Sequence, residues 1–150
     1  MIRKFPWHKM SFLGLFAIAF GWLEAVVVVY IRKIMETENV IDIARIYVEM
    51  AKLNLLRIEW TREFATIIIL SSIALIVFKD WKQKIAAFLW TFGIWDIFYY
   101  ISLKILISWP SSFETIDCLF LIPCPWTAPV WVPVTASILM MSIAIYLFKV

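Results

Sequence analysis

Residues 11–30, SFLGLFAIAFGWLEAVVVVY, form an apolar run that carries a single charged side chain, Glu24. At about 1.5 Å of rise per residue such a run matches a hydrocarbon core about 30 Å thick, which leaves a membrane-crossing helix as its natural fold. The basic residues Arg3, Lys4 and Lys9 ahead of it, with Ala17 and Ala19 inside it, imitate a secretory signal peptide. The apolar stretch continues through Val26 to Val29, however, and outruns an ordinary signal core. It reads as a retained first span. The chain as a whole agrees: 64% of its 150 residues are hydrophobic, against about 45–50% in a soluble domain.

A carboxylate in a span needs a protein-facing side, because an acid near the bilayer centre costs roughly 2.5–3.5 kcal/mol on insertion scales. On a helical wheel Gly14, Ala17, Gly21, Glu24, Ala25 and Val28 share one arc, a stripe of small residues suited to close helix contact. Glu24 therefore points at protein.

Three more spans are predicted, over residues 60–78, 85–107 and 130–148. The second is entered through EWTREFAT, where offsets of three, four and seven gather Glu59, Arg62, Glu63 and Thr66 on one face. The third carries Asp96 near its centre, with Phe92, Gly93, Tyr99, Tyr100 and Leu103 around it and Lys104 further round. In the fourth, Pro133 falls in the first turn, where a missing N–H costs little, and Thr135 and Ser142 share a face. Trp60, Trp81 and Trp109 stand at expected span ends as interface anchors. Trp95 sits beside Asp96, where it either shields the acid or fills the packing.

Two connections have character of their own. Residues 31–58 mix acids and bases, with Ile41, Ala44, Val48, Ala51, Leu55 and Ile58 near helical spacing, which points to an amphipathic helix at the interface or an extension of the second span. Residues 109–129 hold Pro110, Pro123, Pro125 and Pro129 and no Lys or Arg, and their apolar centre CLFLIPCPW is too short to span. This predicts a proline-rich re-entrant or interfacial loop packed on the bundle. Residues 1–150 thus read as one transmembrane domain: an all-α, integral membrane four-helix bundle with an interfacial amphipathic helix and a re-entrant loop. Arg3, Lys4, Lys9, Lys79, Lys82, Lys84 and Lys149 mark one side, so both termini are expected in the cytoplasm, in a bacterial inner membrane.

Much chemistry is excluded. One histidine, His8, rules out bis-His haem and most zinc sites, and three glycines leave no phosphate-cradling loop. The Cys118 and Cys124 pair lacks ribbon spacing and reads as two buried thiols, or as a disulfide if the loop faces an oxidising compartment. No cofactor is expected. The net charge of +3 comes with no long basic run, so the partners are the bilayer and a small ligand and not nucleic acid.

The candidate site is the set Glu24, Glu59, Arg62, Glu63, Asp96, Tyr99 and Tyr100. Three explanations compete. Arg62 or Lys104 pairs with Glu24, Glu63 or Asp96 and locks the helices in register. Alternatively the carboxylates bind a cation or proton and couple it to a small solute. Or two carboxylates divide acid and base roles on a lipid-linked substrate, with tyrosines or Arg62 holding it, although no nucleophile motif is present. Assembly as a homo-oligomer or as a subunit of a larger membrane complex is a further reading. The segments GWLEAVVVVY, EWTREFAT, FGIWDIFYY and LFLIPCPWTAPV together resemble a group of uncharacterised bacterial four-span membrane proteins. That resemblance covers most of the chain and implies the topology, with no activity attached.

Overall fold

The computed structural model describes residues 5–35, 48, 50–122 and 125–149. Among them four helices are long and apolar enough to cross a membrane: α1 (Trp7–Ile34), α2 (Leu55–Val77), α3 (Trp81–Ile107) and α4 (Trp131–Lys149). Each overruns or closely matches the apolar run that predicted it. α1, α2 and α3 start several residues earlier because their polar first turns still satisfy backbone hydrogen bonds outside the apolar core. α3 begins at an Asp80 cap whose carboxylate accepts the Gln83 N–H at 3.2 Å, and stops where Ser108 turns left-handed (φ 56°) just ahead of Pro110. Arg32 and Lys33 close the last turn of α1, where cations suit the carbonyl end of a helix.

α3 is the central helix. It packs broadly on α1 and α4 and over a smaller contact on α2. Two glycines set these distances. A Cβ on Gly21 of α1 would lie 2.6 Å from the Trp95 carbonyl oxygen, and one on Gly93 of α3 would lie 2.8 Å from that of Ser137 on α4. Backbone meets backbone at both places, as the small-residue stripe of α1 implies.

The helices alternate in direction, so each end of the bundle gathers distinct residues. At one end Met10, Leu13, Ala74, Phe78, Ala86, Ala87, Ala144 and Phe148 close an apolar core, and the Lys9 ammonium donates to the Val77 carbonyl at 2.9 Å. Lys79, Lys82, Lys84 and Lys149 belong to this closed end. A second cluster of Ala17, Phe20, Leu70 and Trp95 lies midway. Beyond it the helices part around a cavity.

Where the sequence predicted a proline-rich loop, the chain forms an antiparallel hairpin of β1 (Ile116–Phe120) and β2 (Trp126–Pro129), paired Ile116 with Pro129, Asp117 with Ala128 and Cys118 with Thr127. The prolines permit it because Pro125 precedes β2 and Pro129 ends it, positions where a strand tolerates a missing N–H. The all-α description thus holds for the bundle and gives way in this segment. A register shift between Cys118 and Phe120 interrupts the two-residue alternation of β1, and residues 116–121 all line the cavity. Phe120 packs on the midway cluster.

The amphipathic segment expected before the second span lies mostly outside the described residues. Val48 and residues 50–52 are helical, and Met50 is buried. Cys124 is likewise outside them, so its relation to Cys118 is not described.

Candidate functional site

The cavity occupies about 860 Å³ and is walled by α1, α2, α3, the hairpin and the start of α4. All seven residues singled out in the sequence line it: Glu24, Glu59, Arg62, Glu63, Asp96, Tyr99 and Tyr100. Helical spacing explains their convergence. Glu24 falls on the buried stripe of α1 with Ala17, Gly21 and Ala25, and Glu59, Glu63 and Thr66 are the buried polar positions at the start of α2.

Within the cavity the charges separate into three groups. In the first, Arg62 bridges Glu24 and Glu59: its guanidinium meets the Glu24 carboxylate across the α1 to α2 gap, and reaches Glu59 at 2.8 Å within its own helix. The Thr66 hydroxyl donates to the other Glu24 oxygen at 2.6 Å. Both oxygens of Glu24 are therefore engaged, and the carboxylate is 5% exposed. A buried ion pair of this kind gains register more than stability, since desolvation offsets much of the attraction.

The second group is Glu63 and Asp96. Glu63 holds the hairpin, with its two oxygens each 3.0 Å from the Leu121 backbone nitrogen. Asp96 accepts the Ser137 hydroxyl of α4 at 2.8 Å. No ion pair within 4 Å reaches either carboxylate among the described residues. Lys104, the other candidate partner, is exposed and donates instead to the Pro110 carbonyl at 2.8 Å and the Ser108 carbonyl at 3.3 Å, because its position on the last turn of α3 favours free carbonyls. Thr135 is exposed and Ser142 bonds its own helix, so neither takes part.

The third group was not foreseen. Asp117 of β1 accepts the Tyr100 hydroxyl at 2.9 Å and lies 4.0 Å from the Arg32 guanidinium. Arg32 also stacks over the Trp109 ring, 3.9 Å from its centroid. Burial pushes the Asp117 carboxyl above the usual carboxylate range, against the opposing pull of Arg32 and the Tyr100 hydroxyl. Burial, with Asp117 and Glu63 nearby, pushes the Cys118 thiol up to about 12. The sequence signal for Asp117 was the run ETIDCLF, whose β-branched residues suit a strand. The signal for Ser137 was its place on the inner face of α4. The prolines around Asp117 hide the strand, and a lone serine in an apolar helix carries no charge to mark it.

Among the described residues the cavity is lined by six acids, Glu24, Glu59, Glu63, Asp96, Glu114 and Asp117, and by two bases, Arg32 and Arg62. Aromatic rings form its wall along α3 and just past the end of that helix: Phe92 to Trp95 at 5.3 Å, Trp95 to Tyr99 at 6.4 Å, Tyr99 to Tyr100 at 5.1 Å and Tyr100 to Trp109 at 6.4 Å between centroids. Among the described residues no group of three or more His, Cys, Asp and Glu could hold a metal ion. Compared with known protein families, curated proteins and solved structures, the chain matches none of them.

Proposed function

We propose that this is a bacterial inner-membrane protein, of the four-span group it resembles, whose cavity binds a cation or proton and couples it to movement of a small solute. One observation carries the reading: among the described residues six acids and two arginines line one cavity, and neither Glu63 nor Asp96 has an ion-pair partner there. Unbalanced carboxylates in an apolar surround attract a positive charge or keep a proton. Glu24 and Glu59, tied to Arg62, hold the helices in place and leave the exchange to Glu63 and Asp96. Both termini face the cytoplasm, since the closed end carries the lysines, and the cavity faces the other side. The hairpin is the re-entrant element, a reading supported by the contact of Phe120 with Phe20, Leu70 and Trp95 and by the Glu63 bond to Leu121.

Trp95 and Trp109 line the cavity and report on it. Detergent-solubilised protein titrated with acid, sodium or potassium should give a saturable change in tryptophan fluorescence with at least one of them. Glu63→Gln combined with Asp96→Asn should abolish it. A response that is flat for all three, or unchanged in the double variant, overturns the proposal.

A further inference from the structure

We infer that the solute is an organic cation of the alkylammonium class, seated with its charge at Asp96 and its carbon against the ring wall of α3. This rests on the cation-binding reading above and names its ligand. Phe92, Trp95, Tyr99 and Tyr100 surround Asp96 at offsets of four, one, three and four along the helix, and all line the cavity. One Asp96 oxygen is fixed by Ser137, which orients the carboxylate without neutralising it.

The outer end of the same wall already shows the recognition mode. There Arg32 sits over the Trp109 ring at 3.9 Å and against Asp117 at 4.0 Å, a cation held by a ring face and a carboxylate together. Deeper in, the rings and Asp96 repeat that pairing of surfaces with no Lys or Arg in ion-pair contact with Asp96 among the described residues. A cation arriving from outside would complete it.

Size and chemistry select the class. A cavity of about 860 Å³ is far larger than the cage of oxygens a bare metal ion needs, and it falls within the range of about 300–1,000 Å³ typical of small organic ligands. At Asp96 a strongly hydrated ion would exchange its water shell for one carboxylate set among the rings of α3, and so regain few oxygens there. An alkylammonium has little shell to lose, presents carbon to the rings, and is attracted by the negative ring faces and by Asp96 at once.

The test uses the full chain in detergent and tetraethylammonium as probe, with binding read by equilibrium dialysis and by tryptophan fluorescence. Saturable binding is expected, at least a hundredfold tighter than that of sodium. Asp96→Asn, which preserves shape, should weaken it at least tenfold. Tyr99→Leu should weaken it about tenfold while Tyr99→Phe, which keeps the ring, leaves it within twofold. If Tyr99→Leu fails to fold, loss in Asp96→Asn with retention in Tyr99→Phe still supports the inference. Wild-type affinity in Asp96→Asn, or loss in a folded Tyr99→Phe, overturns it. If protons or alkali cations give a response and tetraethylammonium does not bind, the ligand class is wrong and the cation reading stands. If neither binds, both fall.

Discussion

Gly21 and Gly14 lie two helical turns apart on the same face of α1, yet adding one methyl group to each should move stability in opposite directions. At Gly14 a Cβ would meet the Ile94 Cδ1 at 3.5 Å and the Trp90 Nε1 at 3.8 Å, ordinary contacts with side-chain ends. Gly14→Ala therefore keeps the helix propensity gain of about 1 kcal/mol and fills space. At Gly21 the Cβ would meet the Trp95 carbonyl oxygen at 2.6 Å, the Tyr99 nitrogen at 3.1 Å and the Phe98 Cβ at 3.3 Å. None of these belongs to a flexible side-chain end, so the α1 and α3 backbones must separate by roughly 1 Å to restore contact at about 3.5 Å. Overpacking of this kind costs about 1–3 kcal/mol, and the separation also loosens the close contact on which dispersion along the small-residue stripe depends. The net expectation is a loss of about 1–2 kcal/mol after the propensity gain is subtracted. Thermal unfolding in a single mild detergent, followed by tryptophan fluorescence, should rank Gly14→Ala at or above wild type and Gly21→Ala below it. Equal melting temperatures for Gly21→Ala and wild type would refute the close backbone contact of α1 with α3.

Other expectations follow from the charged groups. Arg62→Met removes the counter-ion of two carboxylates that are each 5% exposed, so it should destabilise by about 3–5 kcal/mol. Adding Glu24→Gln should recover part of that loss, and a double-mutant cycle with no coupling would exclude the bridge. Because burial raises the Asp117 carboxyl above its ordinary value, the folded chain keeps a proton that the unfolded chain releases. Its stabilising contribution is complete below about pH 4 and is lost as pH rises through the folded value. Asp117→Asn should flatten that part of the melting profile, and profiles with the same slope would count against a buried Asp117. With its thiol pushed up to about 12, Cys118 should be almost fully protonated at pH 8. In a Cys124→Ser background, iodoacetamide should label native Cys118 on the order of a hundredfold or more slowly than the denatured chain. Comparable rates in the two states would contradict its placement beside Asp117 and Glu63.

Much of the fold was legible in the sequence because membrane helices are specified locally. Length, apolar content and the 3.6-residue repeat of α1 were enough to place its span and to turn Gly14, Ala17, Gly21 and Glu24 inward, and the same logic faced Glu59, Glu63 and Thr66 of α2 into the bundle. The seven site candidates share one cavity for that reason. Pairing is a different matter. That Arg62 takes Glu24 and Glu59, that Lys104 turns to carbonyls, and that Asp96 finds Ser137 depend on which helices are neighbours and at what height. No local period carries that information. The hairpin shows the same division, since prolines do exclude a span between α3 and α4, but they do not tell a loop from strands whose ends they occupy. Arg32 is remote in sequence from Tyr100, Trp109 and Asp117 and meets Asp117 and Trp109 only when the segment after α3 folds over the end of α1. The sequence by itself determined which faces of the helices would be polar inside the membrane, because burial against lipid is a one-body property of each helix. The tertiary structure alone decided which charges would neutralise one another and which would be left to face the cavity, because that is a property of the whole assembled bundle.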